Sequence, residues 1–131
     1  MIVIDCSYAL ALVMPDEERP ASMLAVLRES LAVPVIWPLE IANALRTSLR
    51  RGRLQERQIA GLCADVGDFE VEVMAPSHAQ PKRHLDAALT HDLTPYDALY
   101  LDLALQRRCA LATRDAALAA AAARAGVTVH Q

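Results

Sequence analysis

The sequence predicts an α/β fold: a three-layer α/β/α sandwich with a mainly parallel central sheet. Three observations carry this. Short apolar, β-branched runs alternate with segments of helical 3–4 spacing along the whole chain, the pattern of a parallel sheet with crossover helices. Ala, Leu and Val dominate while aromatic residues make up only 4%, a composition suited to helices packed on a sheet rather than to an all-β sandwich. Finally, 131 residues supply one full hydrophobic core but not two, so residues 1–131 are read as a single domain.

Taken in order, Ile2-Val3-Ile4 ending at Asp5 is a buried parallel strand by pattern. Ser7 to about Met14 is a short helix stopped by Pro15. Asp16-Glu17-Glu18 places negative charge at the start of a next helix, favourable with its dipole, and that helix carries Met23, Leu24, Val26, Leu27 and Leu31. Val33-Pro34-Val35-Ile36 is a second strand, and Trp37-Pro38 turns into a helix from Leu39 to about Arg51, with Ile41, Ala42, Ala44, Leu45 and Leu49 inward and Gly52 as its stop. A helix over roughly Gln55 to Val66 leads to a weak strand around Val71 to Met74. Ser77 caps a helix to about His91, and Thr94-Pro95-Tyr96-Asp97 has capping-box spacing with Pro at the first helical position. Ala110 to Thr113 is a strand, Asp115 to Arg124 an Ala-rich helix closed by Gly126, and Val127-Thr128-Val129 a last strand.

Composition also excludes several classes. A net charge of −3 does not attract nucleic acid globally, so any polyanion must be held by a local basic patch or through a metal. No uncharged apolar window of about 18 residues exists, so no membrane span is expected, and the opening residues lack a basic signal-peptide region. Cys6, Cys63 and Cys109 are an odd number without CxxC spacing and read as reduced core residues of a cytoplasmic protein. His78, His84 and His91 recur along one helical segment with His130 at the tail. Without HExxH or CxxC patterns, zinc is disfavoured. Neither a G-x-S-x-G elbow nor a G-x-G-x-x-G or Walker loop is present.

Four acids stand out. Asp5, Glu40, Asp97 and Asp115 each sit where an apolar run or loop gives way to a helix. Each has a capping explanation: Asp5 for the helix after it, Glu40 at a helix dipole, Asp97 opposite Thr94, Asp115 as an N-cap. In an open parallel sheet, however, strand carboxyl ends and the following helix starts share one edge, where ligands bind. Carboxylates gathered there would repel one another without a positive ion, and all-oxygen donors point to Mg²⁺ or Mn²⁺. Asp97 follows no strand, so its place at such a site does not come from periodicity. Asp102, five residues on, is read as a flank residue of the same helix.

The same residues carry a family resemblance. Val3-Ile4-Asp5-Cys6-Ser7 resembles the opening strand and Asp-x-Ser turn of PIN-domain nucleases. Leu39-Glu40-Ile41-Ala42-Asn43 resembles their second motif, Thr94 to Leu101 the third, and Leu111-Ala112-Thr113-Arg114-Asp115 the fourth. Small size and the lack of extra domains resemble the VapC-type toxins of toxin–antitoxin pairs. The resemblance implies that Asp5, Glu40, Asp97 and Asp115 bind Mg²⁺ or Mn²⁺, with Ser7 and Thr113 as supporting hydroxyls and Asn43 behind the ligands or on the substrate side. It further implies an RNA substrate, a homodimer, and a cognate antitoxin protein that inhibits the site.

The chemistry expected of such a site is phosphodiester hydrolysis, leaving a 5′-phosphate and a 3′-hydroxyl. A divalent ion activates water and relieves charge on the leaving oxygen, so no histidine base is needed. Arg46, Arg50, Arg51, Arg53 and Arg57 concentrate positive charge in or after the Glu40 helix, with only Glu56 opposing. Glu40, Asn43, Arg46 and Arg50 step by three and four along one face, a route from metal to phosphate-binding arginines. Trp37, Tyr8, Tyr96 and Tyr100 are expected in the core or at an interface. The run Ala9 to Met14, with Met23 and Leu27, exceeds what the core is expected to absorb and predicts an apolar partner groove. Two alternatives stay open: a PIN-like binding module without catalysis, and a receiver-type signalling domain, which the single lysine, Lys82 in a helical segment, disfavours.

Overall fold

The computed structural model describes residues 1–131. In chain order the elements are β1 (Ile2–Ile4), α1 (Cys6–Val13), α2 (Met23–Val26), β2 (Leu31–Pro34), α3 (Trp37–Arg50), α4 (Glu56–Gly67), β3 (Val71–Met74), α5 (Pro81–His91), α6 (Pro95–Arg107), β4 (Ala110–Ala112), α7 (Ala116–Arg124) and β5 (Val129–His130). The strands form one sheet in the order β3-β2-β1-β4-β5, and every pairing is parallel. Ile2 lies opposite Leu31 on one side and Ala110 on the other. The chain thus winds from β1 outward through β2 and β3, then returns to the other side of β1 for β4 and β5. That reversal makes the β1/β4 junction the topological switch point of an α/β/α sandwich.

Burial follows from the position of each strand. All residues of β1 and β2 are buried, as strands covered on both faces must be. The edge strand β3 has no buried residue, and its exposed Glu72 blunts an open edge. Helix α6 packs against β1, β2 and β4 and also contacts α5 and α7, while α1 packs against α3 and α4. Tyr100, Leu101, Leu103 and Ala104 of α6 belong to the main core with Val3, Ile4, Val33 and Leu111.

The structure moves several sequence-predicted boundaries. Asp16 and Glu17 do not open a helix. They bind Arg53 instead, at 2.9 and 3.2 Å, and only the single turn α2 follows. Leu31 belongs to β2, which starts two residues earlier than expected, and Val35 is 42% exposed. Helix α5 begins at Pro81 rather than after Ser77, because Gln80 before proline is held extended and proline suits the first helical turn. The last strand is Val129–His130 rather than Val127–Val129, set by pairing of Val129 with Leu111. Gly52 does end α3, at φ +72°, but Ala42 on that helix is exposed.

The apolar run of α1 is absorbed after all: Ala9, Ala11 and Met14 are buried, and Leu10, Leu12 and Val13 pack against the core. Of the residues expected to form a groove Leu27 is exposed, as is its neighbour Leu24, and the other exposed apolar side chains lie elsewhere, Leu39, Leu85, Leu89 and Tyr96 among them. Tyr8, Trp37 and Tyr100 are buried as expected, whereas Tyr96 is 62% exposed. All three cysteines are free, but Cys63 is exposed rather than part of the core. No helix is long and apolar enough to cross a membrane.

Leu101 is fully buried where α6 meets the sheet. Replacing it with alanine is expected to cost about 2–5 kcal/mol, read as a lower urea midpoint with an unchanged slope.

Candidate active site

The crevice at the switch point is built by the segments that leave β1 and β4. Asp5 is the first residue after β1 and the N-cap of α1, its carboxylate accepting the Tyr8 amide at 2.7 Å. Only 5% of Asp5 is exposed. The Ser7 hydroxyl donates to both Asp5 oxygens at 2.8 Å, and the Thr113 hydroxyl makes a further short bond to Oδ2. The same two hydroxyls accept from the chain after β4: the Arg114 amide donates to Ser7 Oγ at 2.9 Å and the Asp115 amide to Thr113 Oγ1 at 3.0 Å. Ser7 and Thr113 therefore lash the two strand ends together through the Asp5 carboxylate.

The other acids arrive on helices. Asp115 caps α7, accepting the Leu118 amide at 2.8 Å. Glu40 stands in the first turn of α3, and its carboxylate accepts the buried Tyr100 hydroxyl from α6. Asp97 stands in the first turn of α6, where Thr94 Oγ1 accepts its amide at 3.1 Å. Asp5, Glu40, Asp97 and Asp115 line one cavity of about 340 Å³. The capping and clustering explanations thus hold together: for Asp5 and Asp115, capping the helix is what aims the carboxylate into the crevice.

Charge in the crevice is unbalanced. Burial pushes the Asp5 carboxyl up to about 6, against the lowering effect of its three donors, and Asp115 raises it further. Burial also raises Glu40, partly offset by the Tyr100 bond, with Asp97 adding repulsion. Asp97 is raised by burial and then by Asp115. The Cys6 thiol beside them is pushed up to about 12 by burial, Glu40 and Asp5, so it stays protonated and inert. Tyr100 is raised by burial and by its bond to Glu40, so it serves as a donor only.

This donor set fits a hard divalent cation. It is all oxygen, it is open to solvent on one side, and its carboxylates repel one another. No three His, Cys, Asp or Glu side chains stand close enough together to form a ready-made metal cage.

Several predicted residues fall outside the crevice. Arg46 and Arg50 are exposed on α3 but do not line it, and Asn43 lines an adjoining cavity with Glu40. Arg53 is engaged by Asp16 and Glu17, so the arginine cluster is not opposed by Glu56 alone. Asp102 lines a separate cavity with His78 and His84. His78 precedes α5 and its ring lies 4.6 Å from that of His84. Tyr100, expected only in the core or at an interface, also lines the crevice, and two charged lining residues were not anticipated. Arg114 brings the only cationic side chain to the crevice, and Glu17 a fifth acid. Arg114 sits inside the fourth motif, next to Asp115, and that adjacency was the available signal.

An acid-lined crevice at the switch point of a parallel α/β sheet defines a class of proteins that bind a polar or ionic ligand at strand ends. The PIN domain family model matches residues 2–124, and the chain belongs to the PIN-domain family. It is 32% identical over 120 residues to Ribonuclease VapC3 of Pyrobaculum aerophilum, covering 90% of this chain and 92% of that protein. It is also similar to the crystal structure of PAE2754 from Pyrobaculum aerophilum, with a TM-score of 0.73 and 25% identity over 98% of this chain and 82% of the other.

The raised Asp5 pKa has a stability consequence in metal-free protein. Between the unfolded value of 3.8 and about 6 the folded state holds the proton more tightly. The resulting stability is complete below pH 3.8 and lost as pH rises through about 6, a change on the order of 3 kcal/mol. Denaturation midpoints across this range in chelator should fall with rising pH, and Asp5→Asn should flatten the slope. A midpoint independent of pH in the parent protein would contradict this account.

Proposed function

We propose that this protein is a divalent-metal-dependent endoribonuclease and the toxin of a toxin–antitoxin pair. The observation that carries the proposal is the convergence of Asp5, Glu40, Asp97 and Asp115 on one crevice. Similarity to a protein named Ribonuclease VapC3 over nine-tenths of the chain supports RNA as the substrate and an antitoxin as a partner; a second copy of the chain is a further partner in this proposal.

In this proposal the four carboxylates hold Mg²⁺ or Mn²⁺. The ion, when bound, supplies an activated water and neutralises charge on the leaving oxygen. The remaining roles belong to the chain. Asp5 is fixed by Tyr8, Ser7 and Thr113, so its oxygens cannot rotate away from the crevice. Tyr100 holds Glu40 in the same way from beneath. Asp97 and Asp115 complete the set, each positioned at a helix start. Arg114 lies at the rim, placed to contact a phosphate oxygen of the substrate. Arg46 and Arg50, on the exposed face of α3, are placed to hold a more distant stretch of the RNA backbone rather than the scissile phosphate. The products are a 5′-phosphate and a 3′-hydroxyl, with no part for the 2′-hydroxyl.

Sequencing of RNA 5′-phosphate ends after brief expression tests the proposal. New ends should accumulate with the parent protein and be absent with Asp97→Asn. In purified protein, EDTA should abolish cleavage and added Mg²⁺ or Mn²⁺ restore it. Identical end profiles for parent and variant, with both proteins folded and binding metal, would instead support a binding module without catalysis.

A further inference from the structure

The chain has five aromatic residues, and four of them are committed to the interior. Tyr8, Trp37 and Tyr100 are buried, and Phe69 is partly buried against the core. Tyr96 alone is exposed, at 62%. It stands in the first turn of α6, directly before Asp97, on a helix start fixed by Thr94 and Pro95. Its ring is therefore carried by a rigid element beside the acidic crevice.

Tyr96 lines a cavity of about 380 Å³ together with Ile36, Leu39, Asn43, Cys6 and Glu40. Cys6 and Glu40 also line the acidic crevice, so the two cavities are contiguous. Leu39 is 72% exposed, and Asn43 is exposed one helical turn after it. This pocket thus brings together an aromatic ring, the apolar side chains of Ile36 and Leu39, and one amide carrying both donors and an acceptor. A nucleobase has apolar faces and a polar edge, and unpaired RNA bases are recognised by stacking on aromatics with hydrogen bonds to their edges. An acidic peptide would be repelled by Glu40 and Asp97, whereas a base is neutral. A larger, mainly apolar groove shares Ile36 and Tyr96 with this pocket and runs past Val35, Leu85 and Leu99, and no acid of the site lines it.

We infer that Tyr96, Leu39 and Asn43 seat the base of a nucleotide flanking the scissile phosphate, so that Tyr96 and Asn43 set which RNA sequence is cut. This rests on the ribonuclease proposal for substrate class. Tyr96 stacks on the face of the base, Leu39 closes the other side, and Asn43 reads the edge. None of the three takes part in bond cleavage.

The test separates binding from cleavage. Fluorescein-labelled single-stranded RNA oligomers of uniform base are titrated, in Mg²⁺, onto Asp97→Asn protein with and without Tyr96→Ala, Tyr96→Phe or Asn43→Ala. Tyr96→Ala should weaken binding on the order of tenfold, Tyr96→Phe should retain it, and Asn43→Ala should reduce the difference between bases. In the Asp97-intact protein, Tyr96→Ala should raise KM, leave kcat nearly unchanged and broaden the set of cleaved sites. Unchanged affinity and an unchanged cleavage pattern, with the parent cleaving RNA, would overturn the pocket and leave the nuclease standing. A change of oligomeric state on size exclusion without loss of RNA affinity would overturn it in favour of a protein interface. Loss of binding in Tyr96→Ala with no cleavage by the parent would support the pocket and overturn the nuclease.

Discussion

The buried carboxylate of Asp5 sits where the chain reverses its winding direction across the sheet, and it is held there by three donors. A buried carboxylate costs several kcal/mol if left unpaired. Here the donors are the Tyr8 amide and the Ser7 hydroxyl, both in the first turn of α1, and the Thr113 hydroxyl beyond β4. The last two in turn accept backbone amides from Arg114 and Asp115. The hydrogen bonds that keep Asp5 inside therefore also fix the position from which Asp115 starts α7. Loosening this knot would shift two acids and the ends of two central strands together.

Helix α6 bears a second dependence. Its buried side, Tyr100, Leu101, Leu103 and Ala104, is a large part of the core, and its first turn carries Tyr96 and Asp97. Tyr100 belongs to both sides of this division, since its ring is in the core while its hydroxyl holds Glu40. Glu40 is thus joined to α6 across 60 residues of sequence. The relative setting of α3 and α6 is fixed by the same contact that aims a carboxylate, so packing and site geometry are not separable here.

What the sequence made legible follows from how local each signal is. Asp5 and Asp115 were readable because the one directly follows a strand, the other comes shortly after one, and each begins a helix, events that leave marks in the chain. Glu40 was readable from Pro38 and the helix after it. Asp97 came only with the family resemblance, because a loop and α5 stand between it and any strand. The Tyr100–Glu40 bond and the pairing of Arg53 with Asp16 and Glu17 are tertiary, and no spacing announces them. The latter also explains the misplaced helix start at Asp16: the charges that suit a helix dipole are satisfied by an arginine some 37 residues away. The exposure of Tyr96 was hidden for a similar reason, since a tyrosine in an apolar helix carries the same pattern whether it faces the core or a cleft.

Electrostatics links these points to substrate choice. The whole chain carries −3, and its crevice gathers five acids against one lining cation, Arg114. A phosphodiester approaching that crevice without a metal meets repulsion from carboxylates that already resist ionisation. The arginines of α3 lie off the crevice and cannot neutralise it at contact distance, although they can draw in more remote phosphates. In the proposed reaction the positive charge that brings a phosphate to Asp5 must then arrive with the cation. Affinity for the base, by contrast, comes from Tyr96, Leu39 and Asn43, which carry no charge. Phosphate affinity should therefore follow metal occupancy and salt, while sequence preference should not, because the two are supplied by different walls of the same cleft.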